Sequence, residues 1–154
     1  IIGCLLGMLL TSCGYVYKNV PSRATTQEFY QNQTGQFNTP GTVRKEITRF
    51  YAESVQRTRS LNPKPQFTTL MLNTRFQGNM VSLSLKNQTY YCRWCDIQRI
   101  YIKKFTLKGE PTIYLVWIDC PDYKEKISLV TALLEDAEIL HALARRMIEL
   151  QNCQ

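Results

Sequence analysis

The chain has 154 residues, is 44% hydrophobic and 20% charged, and carries a formal net charge of +7. That length holds one domain with a modest core plus an extension, and it excludes an array of several domains. The positive balance favours anionic partners such as lipid headgroups, acidic glycans, nucleic acid or an acidic protein face, with a merely solvated basic surface as the plain alternative.

The chain opens on an uncharged run, "IIGCLLGMLLTSCG". It is shorter than the ~20 apolar residues of a membrane-spanning helix, and it fits the ~7–15-residue apolar region of a secretory signal. Gly3 and Gly7 weaken a soluble helix here, and no amphipathic period appears. A charged start with an initiator Met is missing, so the signal is expected to be truncated. Leu10, Thr11, Ser12 and Cys13 resemble the bacterial lipobox: an aliphatic residue, two small residues, then the cysteine that accepts a diacylglyceryl group. The resemblance implies a lipoprotein with residues 1–12 as signal peptide and a mature chain acylated at Cys13. Membrane lipid is then a partner through its acyl chains, each buried CH₂ adding about 0.8 kcal/mol of membrane affinity. Gly14 in place of Asp after the cysteine implies, for a Gram-negative source, the outer membrane facing the periplasm.

Residues 13–40 are rich in Gln, Asn, Thr and Ser and read as a flexible tether. Fully extended at ~3.3–3.6 Å per residue it reaches about 90 Å, enough to hold a domain clear of the membrane. The domain is expected over 41–154. Val43, Ile47, Phe50, Tyr51 and Val55 recur at helical spacing with Arg44, Lys45, Arg49 and Arg57 between them, which predicts a helix over 42–61. The Asn62–Pro65 stretch "NPKP" ends it.

Strands follow. "FTTLMLNTRF" (67–76), a turn at Gln77-Gly78-Asn79, and the alternation of Val81, Leu83 and Leu85 predict a hairpin with one apolar and one wet face. A third strand is expected over 97–107, with a bulge near Lys103-Lys104 to bring Ile100 and Ile102 into phase with Phe105 and Leu107. Gly109-Glu110-Pro111 turns into a fourth strand over 112–119, apolar on both faces and therefore central or helix-covered. Asp122 and Glu125 resemble an acidic capping box, which predicts a long helix to about Leu150 carrying the stripe Val130, Leu133, Ala137, Leu140, Ala144 and Met147. The whole predicts an α+β fold: an antiparallel four-stranded sheet with an N-terminal and a long C-terminal helix packed on it.

Beyond the signal, Cys92, Cys95, Cys120 and Cys153 remain. An even count in an exported chain reads as two disulfides whose connectivity stays open. Linking Cys92 or Cys95 to Cys120 would tie the second connection to the fourth strand, with Cys153 pinning the last helix to the other. The pair in "YYCRWC" also allows a periplasmic thiol-redox function, with Arg93 lowering a thiol pKa, but no helix N-terminus follows to assist. A zinc site from Cys92, Cys95 and Cys120 with Cys153 or His141 would need a second C-x-x-C or H-x-x-x-H, which is missing. His141, the only histidine, reads as partly exposed on the helix. No P-loop, G-x-G-x-x-G, G-x-S-x-G or H-E-x-x-H occurs, so neither a catalytic set, a cofactor nor a small-molecule substrate is expected. Arg93, Arg99, Lys103 and Lys104, interleaved with aromatics, form a candidate surface for an anionic partner. Nucleic acid is an improbable partner outside the cytoplasm, and the alternative for the lysines is an edge strand protected from aggregation. The reading is an envelope lipoprotein that binds a protein partner as a structural component, with secretion or conjugation machinery as the class of assembly.

Overall fold

A computed structural model describes residues 16–20 (as backbone), 37–62, 73–106, 108–121, 127–151 and 153. Its described elements are seven strands and two long helices, an α+β fold. In chain order they are β1 (Val16–Val20), α1 (Pro40–Leu61), β2 (Thr74–Gln77), β3 (Met80–Leu85), β4 (Gln88–Arg93), a 3-10 turn (Trp94–Asp96), β5 (Arg99–Thr106), β6 (Ile113–Asp119), β7 (Ile127–Thr131) and α2 (Leu134–Leu150). The strands form two sheets rather than the expected one: a four-stranded sheet in the order β1-β5-β6-β7 and a three-stranded sheet in the order β2-β3-β4. Every described pairing is antiparallel.

The helix expected over 42–61 forms over 40–61. Its start is set by Thr39, whose side chain accepts from the Thr42 backbone N–H while Thr42 Oγ1 accepts from the Thr39 N–H. That reciprocal exchange satisfies donors that a helix start leaves open, and Pro40 supplies a preset helical φ. Val43, Ile47, Tyr51, Val55 and Thr58 form its buried face.

Of the expected hairpin, Thr74–Gln77 and Met80–Leu85 pair, turning at Gly78 (φ +55°) and Asn79, while positions 67–72 of its first strand lie outside the described residues. The hairpin continues where no turn was expected: Lys86 (φ +26°) and Asn87 make a second two-residue turn into β4. Tyr90 to Arg93 are therefore strand, not connection. The bulge near Lys103-Lys104 is absent, because β5 and β6 pair without interruption from Arg99–Asp119 to Phe105–Ile113. β5 buries Ile102 on one face and Phe105 on the other, so no shift of phase is needed. β6 is central, as its two apolar faces required, and Leu115, Val116 and Ile118 are wholly buried.

Two further expectations are corrected. The long C-terminal helix begins at Leu134, not near Asp122; Ile127–Thr131 is a fully buried strand pairing with β6. Leu129 and Val130 stand at helical spacing from Leu133 and Leu134, but the β-branched Ile127, Val130 and Thr131 suit a pleated, two-sided burial better. Asp122 and Glu125 lie outside the described residues. Val16–Val20, within the segment read as tether, pairs with β5 from Val16–Thr106 to Val20–Ile102.

α1 and α2 run antiparallel. At one end Arg57 grips Asp136, its Nε donating to Oδ2 at 3.0 Å and its Nη2 to Oδ1 at 3.1 Å, while the Ala132 backbone N–H donates to Thr58 Oγ1 at 3.0 Å. At the other end Arg146 Nε donates to the Phe37 carbonyl at 2.9 Å. Ala137, Leu140, Ala144 and Met147 are wholly buried along α2, so this part of the predicted stripe is core, whereas Leu133 is 39% exposed. In the three-stranded sheet Trp94 stacks on Phe76 at 6.3 Å, and Phe76 meets Tyr51 of α1 edge-on at 5.9 Å. Burial pushes the Tyr51 phenol above its ordinary range.

Candidate functional site

The residues with the most chemical potential gather where β4, the 3-10 turn, the start of β5, the end of β6 and the end of α2 meet. Cys92, next to last in β4, bonds Cys120, just past β6, with Cα atoms 6.2 Å apart. Cys95, in the 3-10 turn, bonds Cys153, beyond α2, with Cα atoms 5.1 Å apart. The two cysteines of the C-x-x-C pair therefore point to different partners. Of the pairings left open by the sequence, this one ties the second sheet to the first and the turn to the end of the last helix.

The two bridges sit in different environments. Cys92 and Cys120 are each 3% exposed, whereas Cys95 and Cys153 are exposed. A thiolate nucleophile needs a stabilising positive field, commonly a helix N-terminus. Cys95 is the middle residue of a three-residue 3-10 turn and has no such dipole. The cation beside it, Arg93, is paired with Asp96 at 2.7 Å. The zinc ligand set fails for a related reason: zinc takes thiolate sulfur, and all four sulfurs are bound in disulfides.

His141 is buried rather than partly exposed. Its Nε2 lies 3.1 Å from the Ile100 carbonyl, which fixes α2 against β5. Burial lowers its pKa below the ordinary histidine value, with Arg145 adding to that effect, while the Ile100 carbonyl and Glu138 oppose it. Beside it, a cleft of about 330 Å³ is lined by Ile97, Gln98, Arg99, Ile100, Arg145, Ile148 and Glu149.

The four cations singled out in sequence do not form one patch. Arg99 and Lys103 share a face of β5, because residues two apart on a strand point the same way. There Arg99 lies 4.8 Å over the Tyr101 ring, and Lys103 Nζ lies 5.4 Å from Tyr101 and 5.5 Å from Trp117. Tyr101 and Trp117 meet edge-on at 5.6 Å, completing a ladder of alternating cations and rings. Arg99 also reaches Asp119 at 3.4 Å. Lys104 belongs to the opposite face, and Arg93 to the other sheet. A second groove, about 540 Å³, runs between α1 and β2 past Tyr51, Val55, Arg59, Arg75 and Phe76. Sequence patterns gave no sign of it, since its walls come from segments some twenty residues apart that only the fold brings together.

Among the described residues, no three His, Cys, Asp or Glu side chains come together as a metal-binding group, and no helix is long and apolar enough to cross a membrane. Comparison with protein-family models, with curated proteins and with solved structures finds no match to this chain.

Proposed function

We propose that this chain is a bacterial envelope lipoprotein, acylated at Cys13 and probing its surroundings by binding rather than by catalysis, as a structural or accessory component of an envelope assembly. Secretion or conjugation machinery is the class of assembly the reading favours, and the outer membrane facing the periplasm is its place. The observation that carries the reading is the use of the cysteines. Cys92, Cys95, Cys120 and Cys153 are spent in two cross-links, as suits an oxidising compartment, and Cys13 stands apart from them in a lipobox-like setting. The separation of Cys92 and Cys95 onto different partners weighs against the thiol-redox alternative. A binding role draws support from the α1–β2 groove, with Arg59 and Arg75 on its rim, and from the ladder of Arg99, Tyr101, Lys103 and Trp117.

Intact mass of the mature N-terminal peptide, taken from detergent-extracted envelopes, tests the anchor. The expected peptide begins at Cys13 and carries acyl mass; one that retains residues before Cys13 without acyl mass would refute it. Crosslinking in intact envelopes, with and without Arg59→Glu and Arg75→Glu, tests the partner. The expected adduct with an envelope protein is lost in the double variant, and an adduct indifferent to both changes counts against the groove.

A further inference from the structure

The fold places several unrelated features at one end of the domain. β1 runs antiparallel to β5 with Val16 opposite Thr106, so its beginning lies beside the β5–β6 turn that carries the exposed Lys108. β7 ends at the same end of the sheet, at the edge opposite β1, where Thr131 pairs with Tyr114. Leu133 follows there, 39% exposed. The contact of Ala132 with Thr58 brings the last turn of α1 to this end as well, and with it Leu61, 55% exposed. Two of the three large apolar side chains exposed among the described residues therefore lie at the end of the sheet where β1 begins. Both disulfides lie at the opposite end, beyond Asp119 and Leu150.

We propose that this end of the domain rests on the bilayer, with Leu61 and Leu133 entering the boundary between headgroups and acyl chains. The proposal rests on the acylation of Cys13 and sharpens it. Between Cys13 and Val16 the chain spans at most about 11 Å, comparable with the ~5–8 Å depth of one headgroup layer. A strand fixed to the sheet that close to the anchor leaves the domain no room to stand off, in contrast to a tether running freely to residue 40. The chemistry fits an interfacial contact: leucines at the tips, with the exposed cations Lys108 and Arg59 at the same end. Such cations keep their charge at the headgroups while their stems lie along apolar surface.

Lysine labelling by an amine-reactive reagent, read by peptide mass, tests this on the mature acylated chain in vesicles of phosphatidylcholine and phosphatidylglycerol. The reference is the same mature chain with Cys13→Ser in solution. Lys108 is expected to react at least about threefold more slowly on the vesicle, while Lys45, near the start of α1 at the other end, reacts at the same rate in both. Leu61→Asp with Leu133→Asp, both at exposed positions, should speed Lys108 labelling on the vesicle without restoring the solution rate, because the anchor still holds the start of β1 at the headgroups; a rate unchanged by the two substitutions would overturn the insertion of the leucines. Equal Lys108 rates with acyl mass verified on Cys13 would overturn the proposal and leave the anchor standing. Absence of acyl mass overturns both.

Discussion

The two disulfides should differ in worth in an order opposite to their loop lengths. Cys92–Cys120 spans a sequence separation of 28 and Cys95–Cys153 one of 58. The chain-entropy relation gives about 3.6 kcal/mol for the shorter loop and about 4.2 kcal/mol for the longer. Loop length alone thus ranks Cys95–Cys153 as the more stabilising. Burial reverses the ranking. Cys95 and Cys153 are exposed, so serines there are solvated and leave no void. Cys92 and Cys120 are 3% exposed, so serines there bury hydroxyls in place of sulfur. Each hydroxyl without a partner adds about 1–3 kcal/mol. Cys92→Ser/Cys120→Ser is therefore expected to cost about 6–10 kcal/mol, against about 4 kcal/mol for Cys95→Ser/Cys153→Ser. Because the loops share residues 95–120, the costs should not add in the fourfold variant. Urea unfolding of both double variants, analysed by linear extrapolation, measures them. A larger loss for Cys95→Ser/Cys153→Ser would refute the burial argument, and losses below about 1 kcal/mol for both would refute the loop argument.

Arg57→Ala should cost about 2 kcal/mol by urea unfolding, less than the ~3–5 kcal/mol of fully buried pairs because the guanidinium is 39% exposed while Asp136 is left buried; a change within error would mean that Asp136 finds other compensation. Trp94→Ala removes a wholly buried ring stacked on Phe76 and should cost about 3–5 kcal/mol, a value that a loss near zero contradicts. His141 predicts a pH dependence. Its folded pKa is lowered, so below pH ~6.5 the unfolded chain binds a proton that the folded chain does not. Its share of stability is full above that pH and falls, by at most about 1.4 kcal/mol per unit, as the pH drops toward the folded pKa. His141→Gln should flatten that stretch of the profile, and an unchanged slope would assign it to other groups.

Much of the fold was legible where one physical signal dominated. α1 announced itself by its period, and β6 by being apolar on both faces. The signals failed where two periods coincided. "ISLVTALL" satisfies helical spacing and two-sided strand burial at once, and only pairing with β6 decides between them. β4 was hidden because Lys86-Asn87 lacks the glycine that usually marks a two-residue turn. In the candidate site, the four disulfide cysteines were legible by count, while their pairing depended on which strand ends the fold brings together. Burial of His141 was not legible either, since it comes from β5 across the helix. Nor was the separation of Lys104 from Lys103 anticipated: with no bulge in β5, adjacent lysines take opposite faces.

The central claim is that Cys92 and Cys95 serve structure and leave function to binding at the membrane. Peptide mapping without reduction, on protein alkylated directly in its native envelope, tests it most directly. The account predicts peptides linked Cys92 to Cys120 and Cys95 to Cys153, with no alkylated cysteine among the four. A population linked Cys92 to Cys95, or carrying both as free thiols, would contradict it and restore the redox reading.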